Sequence, residues 1–242
     1  LALGYKQIAI LAGDDDWSER VAQAFVTALN EGGGTPLEIQ HYPSGQDDLS
    51  TPIRAILNLD DADQRTARLE SLLGIRLKTE PKRRSDAEAL FIAARSGAAR
   101  VLIPQIRFHD GLDLPVLSPA SAIPDDGEDV ERDFEGLIFA EMPWLLPNEM
   151  PPSAAAAYKQ LVSERQASQI GRLEALGVDA LHLAKLVHIL KQQPDLDHPG
   201  ATGLLHITEQ GVIQRRLAPT EVRTGTLSRL LDSKGQPLDY FP

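Results

Sequence analysis

The sequence predicts an α/β fold built on a mostly parallel sheet. Two short, wholly apolar runs, Gln7–Ala12 (QIAILA) and Ala89–Ala94 (ALFIAA), suit strands buried on both faces, as parallel strands are. Each run passes through a turn into a stretch with helical apolar spacing, so strands and helices alternate as βαβ units do. No apolar run approaches the ~20 residues that a bilayer-spanning helix needs.

The elements follow in order. After Gln7–Ala12, Gly13 and Asp14–Asp16 form a turn and Ser18 is the expected N-cap of a helix. That helix carries Val21, Phe25, Ala28 and Leu29 on one face and stops at Gly32–Gly34. Leu37–His41 is the next strand. Ser50 and Pro52 open a second helix with Ile53, Ile56 and Leu57 on one side. Asp60–Asp63 open a third, whose apolar positions are Leu69, Leu72 and Leu73 and whose stop is Gly74. The polar, basic stretch from Ile75 to Asp86 reads as an exposed loop.

The pattern then repeats. Ala89–Ala94 is a strand, and Ser96 is the expected cap of a helix reaching Phe108, with a kink or a late start at Pro104. Leu114–Leu117 and Gly136–Ala140 are further strands, separated by the acidic surface loop Pro124–Asp133. Prolines cluster in Pro143–Pro152 and mark a crossing between two parts of the chain. Two helices follow. In the second, Leu173, Leu176, Ala180, Leu183, Val187 and Leu190 form an apolar stripe. Gly203–Thr208 and Val212–Leu217 flank the turn Glu209-Gln210-Gly211 and read as a β-hairpin. After Arg223 no periodicity is visible.

Composition narrows the function classes. The 242 residues include 24 Lys and Arg against 35 Asp and Glu, a formal charge of −11 and a pI near 5.0. A general nucleic-acid binder needs a positive face, and this balance argues against one. An apolar content of 42% supports a substantial core. There is no cysteine, which removes disulfides, Cys nucleophiles and thiolate metal sites. The chain begins at Leu1 with no charged-then-apolar leader, the expectation for an excised or processed piece.

No catalytic set emerges from the motifs. Asp14, Asp15 and Asp16 sit at a strand's carboxyl end, where open α/β sheets hold ligands, yet an acidic turn there also suits the dipole of the following helix. His182 and His188 are six residues apart on one helix and diverge by roughly 120°, unlike the i, i+4 pair of a helical metal site. Asp195, Asp197 and His198 lie between two prolines in a turn. Neither a metal nor a cofactor is expected. Ser118-Pro119-Ala120-Ser121 is not a nucleophile elbow, and Gly32-Gly33-Gly34 follows a helix and does not cradle phosphate. Two groups of residues remain. Asp14, Trp17, Ser96, Ser118, Ser121 and Trp144 follow strand ends and are candidates to line a cleft. Arg76, Lys78, Lys82, Arg83 and Arg84 form a basic stretch that suits an acidic partner, or a solvated loop paired to Glu80 and Asp86.

Longer strings carry a resemblance. RAILNLDDADQRTARLESLLG (Arg54–Gly74), EPKRRSDAEALFIAA (Glu80–Ala94), DFEGLIFAEMPWLL (Asp133–Leu146), RLEALGVDALHLAKLV (Arg172–Val187) and GATGLLHITEQGVIQRRL (Gly200–Leu217) resemble, in order, the penicillin-binding-protein activator lipoprotein family, LpoA. The resemblance implies the carboxy-terminal domain of such a protein, with a type I periplasmic-binding-protein-like fold of two α/β lobes. On that template residues 1–142 are mostly the second lobe, and 143–242 are the return crossing and the rest of an incomplete first lobe. It also implies a non-enzymatic activator of a class A penicillin-binding protein, with peptidoglycan as a further partner. The family's location is the periplasm, through a lipid anchor on the outer membrane. Three departures stand out. The family's amino-terminal helical-repeat domain and lipid-carrying Cys are absent, the first strand and helix of the first lobe are absent, and Ala218-Pro219 replaces an expected aromatic. Apolar surface left by an incomplete lobe, such as the Leu173–Leu190 stripe, favours self-association. The rival reading is a small-molecule binder that closes around its ligand.

Overall fold

The computed structural model describes residues 3–76, 83–109, 113–124, 132–146, 149–164, 171–193 and 196–241. They fall into two compact units that meet in sequence between Ala122 and Ile123.

Unit 1 is a parallel sheet with helices packed against it. Its elements are β1 (Gln7–Gly13), α1 (Asp16–Glu31), β2 (Thr35–Tyr42), α2 (Ser50–Ile56), α3 (Leu59–Leu73), β3 (Ala89–Ala93), α4 (Ser96–Phe108) and β4 (Val116–Leu117). The strand order is β4-β3-β1-β2, every pair parallel. Both central strands are buried almost throughout because helices lie on both sides. Ile8, Ile10, Ala12, Ala89, Phe91 and Ala93 meet Ala22 and Leu29 of α1, and Phe25 stacks on Phe91 with ring centroids 3.8 Å apart. Alternate residues such as Leu11 and Ile92 are equally buried, as are Ile53 and Ile56 of α2 and Leu102 and Ile106 of α4.

Two helix starts differ from the sequence expectation. The N-cap of α1 is Asp15 and not Ser18, because Asp15 is extended and its carboxylate accepts the amides of Trp17 and Ser18. Ser96 is the first helical residue of α4, whose N-cap is Arg95 and has no side-chain cap. Pro104 lies inside α4, which begins well before it, so no late start occurs. The Leu114–Leu117 strand is shorter than expected, only Val116–Leu117.

Unit 2 contains β5 (Leu137–Glu141), α5 (Pro152–Glu164), α6 (Arg172–Gln192), β6 (His198–Pro199), β7 (Leu204–Ile207), β8 (Ile213–Arg216), β9 (Ala218–Arg223) and β10 (Thr226–Arg229). β9 pairs antiparallel with β5 on one side and β10 on the other. β6, β7 and β8 form a separate antiparallel sheet. Its core joins Met142, Trp144, Ala154, Ala175 and Ala201, while Leu183 and Leu190 of α6 pack on Leu205 and Ile207 of β7.

The hairpin at Glu209-Gln210-Gly211 forms as expected, and β9 continues past it through Pro219. β10 was invisible in the sequence because Thr226–Arg229 is mainly polar. Its place is fixed by the turn Thr224-Gly225, both at positive φ, whose amides donate to the Glu135 carboxylate at 2.8 and 3.1 Å.

Candidate functional site

Because β1 to β4 are parallel, the segments that follow them leave the same edge of unit 1's sheet. Asp14, Asp15 and Trp17 follow β1, Ser44 follows β2, Arg95 and Ser96 follow β3, and Ser118 and Ser121 follow β4. The first three segments are cross-linked. The Ser44 amide donates to the Asp14 carboxylate at 2.9 Å, while the Asp14 amide donates to the Tyr42 carbonyl at 3.1 Å. The Arg95 guanidinium lies 4.3 Å above the Trp17 ring centroid, a cation–π contact between the β1 and β3 exits. The Tyr42 hydroxyl donates to the Ala93 carbonyl at 3.3 Å, and burial, with the Asp15 charge, pushes it up to about 12.

The β1 exit is tightly built. Asp15 accepts the Ser18 hydroxyl at 2.6 Å in addition to its two capping amides. Gly13 leaves room for this knot: a Cβ there would stand 2.8 Å from both Asp15 Oδ2 and Ser18 Oγ. Hydrogen bonds from Ser44 hold the Asp14 carboxyl below its usual value of 3.8, and those from Ser18, with Arg95 nearby, do the same for Asp15. Both carboxylates therefore stabilise the turn fully above that value and cease to do so as pH falls through their lowered ones. The amide resonances of Trp17, Ser18 and Ser44 are expected to move together below about pH 4; midpoints at or above the ordinary carboxylate value would contradict the geometry.

Ser118 and Ser121 differ from these. Both hydroxyl oxygens are buried with no hydrogen-bond partner among the described residues. A buried hydroxyl without a partner costs free energy, so each is a vacant hydrogen-bonding position at the sheet edge.

The basic stretch divides. Lys78, Glu80 and Lys82 lie outside the described residues, as does most of the acidic loop 124–133. Arg76 is exposed. Arg84 is held in place: its side chain, only 14% exposed, pairs with Glu38 and Asp86 at 2.9 and 2.8 Å. Arg84 is thus a strut between β2 and the lead into β3, the paired-loop alternative at that position.

In unit 2, Trp144 is buried, 2% exposed, with its ring edge-on to Tyr158 and its indole N–H unpartnered among the described residues. Two buried charged groups nearby went unnoticed in the sequence. Glu141, at the end of β5, accepts the Met142 amide at 2.8 Å and a two-pronged contact from Arg172, with the Arg172 Nε bond at 3.1 Å. Burial pushes the Glu141 carboxyl up to about 7 and lowers Arg172. Asp179 of α6 accepts the amides of Ala201 and Thr202, both at 2.7 Å, and the Thr202 hydroxyl at 2.6 Å. The signal for Asp179 was present, as a carboxylate between Leu176 and Leu183 on an apolar helix face.

The α6 stripe is also corrected. Leu173 and Leu176 are exposed, and the buried face runs through Ala175, Asp179, Leu183 and Leu190. α6 is apolar nearly all round, so the leucine spacing does not single out one face. Its Leu176, Ala180 and Val187 line an open groove of about 590 Å³, with Leu205, Ile213 and Arg215 opposite. Among the described residues no group of three His, Asp or Glu could hold a metal ion.

The family model described as "LppC putative lipoprotein" matches residues 2–225. The chain belongs to the LppC lipoprotein family. This LppC chain is 30% identical over 220 residues to the penicillin-binding protein activator LpoA of Vibrio antiquarius, covering 90% of itself and 36% of that protein. It is 28% identical over 218 residues to the activator LpoA of Vibrio vulnificus, with the same coverage. It therefore spans about a third of the length of these curated relatives. Among solved structures, the LpoA C-domain of Haemophilus influenzae, a regulator of PBP1A, superposes with a TM-score of 0.57 at 16% identity, over 94% of this LppC chain and 62% of that one. The leucine-binding protein LivK of Thermotoga maritima gives 0.55 at 19% identity, over 93% and 60%. The LppC chain accordingly has a type I periplasmic-binding-protein-like α/β fold.

Proposed function

We propose that this chain is a non-enzymatic regulatory domain that binds and activates a class A penicillin-binding protein, a peptidoglycan synthase. It works in the periplasm as part of a lipoprotein anchored to the outer membrane. The observation that carries this reading is 30% identity, over 90% of the chain, to proteins named penicillin-binding protein activators. Activation is a population shift: the domain has higher affinity for the active arrangement of the synthase and so favours it. Charged rims steer such encounters, and Arg76, Lys78, Lys82 and Arg83 are the docking candidates. Biolayer interferometry against the periplasmic part of a cognate class A enzyme tests it at two salt concentrations. Saturable binding that weakens with salt is expected; no binding overturns the reading.

A second reading is a small-molecule binder at the edge formed by Asp14, Trp17, Ser96, Ser118 and Ser121. The unpartnered hydroxyls of Ser118 and Ser121 favour it. A ligand bound only by the folded state raises thermal stability with its concentration. A melting temperature that climbs with added amino acids or muropeptides supports this reading; a flat response across both sets overturns it.

A further inference from the structure

The half-helix at the end of α3 has an apolar face that no described residue of its own unit covers. From Arg68 to Arg76 every residue except Glu70 is exposed. Leu69, Leu72 and Leu73 stand at i, i+3 and i+4, on one side of the helix, and Ile75 follows the Gly74 cap. Their exposures are 50%, 75%, 58% and 56%. Among the described residues of α3 only Leu59, at the opposite end, joins the core. Single exposed leucines are ordinary, but four aliphatic side chains within seven positions form a patch.

In sequence, charge along this stretch is uneven. Positions 65 to 84 hold seven Lys and Arg against two Glu, in a chain whose total charge is −11. Arg68 and Arg76 are exposed beside the leucines, and Arg83 is half-buried. The first turn of α3 is the reverse, carrying Asp60 and Asp61.

We infer that the carboxy-terminal half of α3 docks, leucine face down, into an apolar groove of a partner protein rimmed by carboxylates. The mode is helix-in-groove recognition, in which i, i+3 and i+4 side chains are the anchors and the adjacent cations Arg68 and Arg76 select an acidic rim. A lipid surface fits less well. Helices that lie in a membrane interface spread Lys and Arg along the whole polar face and use Trp or Phe as anchors. Here the first turn is acidic, and α3 has no aromatic residue. The inference rests on the activator reading for the identity of the partner, and names the element and the chemistry of its contact.

The probe is the periplasmic part of a cognate class A penicillin-binding protein, in biolayer interferometry with three chains: unsubstituted, Leu72→Ser with Leu73→Ser, and Arg68→Glu with Arg76→Glu. All substituted residues are exposed, so circular dichroism and melting are expected to match the parent. The leucine pair is expected to weaken binding more than tenfold, mostly through faster dissociation. The arginine pair is expected to slow association and flatten the salt dependence. Unaltered binding by both variants overturns the inference and leaves the activator reading standing. No binding by the unsubstituted chain overturns the activator reading and the inference with it. Binding to phosphatidylglycerol vesicles that the leucine pair abolishes, with enzyme binding unchanged, assigns the patch to lipid and overturns the inference. A dimer that the same pair dissolves in sedimentation velocity, again with enzyme binding unchanged, overturns it in favour of a second copy.

Discussion

Asp179→Ala is expected to destabilise unit 2 by about 3 kcal/mol, since stranding buried donors costs ~1–3 kcal/mol apiece. The carboxylate is 3% exposed and accepts two backbone amides and a hydroxyl from Ala201 and Thr202. Those residues lead into β7, so the bonds fasten the three-stranded sheet to α6. Thr202→Val removes one bond and leaves both amides paired, so its expected cost is nearer 1 kcal/mol. Urea unfolding followed by circular dichroism measures both. A cost below 1 kcal/mol for Asp179→Ala would mean that the loop is held by something other than this carboxylate.

Arg172→Met is expected to cost up to about 3–5 kcal/mol once the pH is high enough to ionise Glu141, the penalty for leaving one partner of a buried ion pair uncompensated. Glu141 is 1% exposed and cannot reach water to recover its hydration. The double replacement Glu141→Gln with Arg172→Met is expected to cost much less than the single change, because it buries no charge. The pH dependence has a definite sign. Burial pushes the Glu141 carboxyl up to about 7, above its ordinary 4.5. In the parent the carboxyl therefore stays protonated in the fold up to about pH 7 and is ionised beside Arg172 above it; without the guanidinium it rises further and remains the neutral acid. The deficit of Arg172→Met against the parent is therefore expected to widen as pH rises above about 7, where only the variant's fold still holds the proton. A deficit that narrows over that range would mean the carboxylate is solvated or otherwise paired.

The parallel core was legible because Gln7–Ala12 and Ala89–Ala94 are apolar without interruption, a pattern that a strand exposed on one face would not have. The β7–β8 hairpin was legible for a different reason, a glycine turn between two short runs. What escaped notice depended on contacts distant in sequence. β10 is held by Glu135, 89 residues before the amide that it accepts. The cap of α1 went to Asp15 because the chain is already extended there, whereas Ser18 lies within the first turn and serves as Asp15's partner. On α6, apolar spacing could not choose a face among so many apolar residues, and a carboxylate with three donors chose it. The site residues show the same division. Strand ends placed Asp14, Trp17, Ser96, Ser118 and Ser121 after parallel strands of the unit 1 sheet. That Arg84 is a strut and Trp144 a core residue required their neighbours to be known.

Each unit contains one of the chain's two tryptophans, Trp17 and Trp144, in opposite surroundings. The first is partly exposed under a guanidinium, and the second is enclosed against Tyr158. Their intrinsic emission is accordingly a pair of separable reporters, with iodide quenching the first far more than the second. Trp17→Phe and Trp144→Phe give single-emitter chains, and the two unfolding curves together reveal whether the units melt as one cooperative block or in succession.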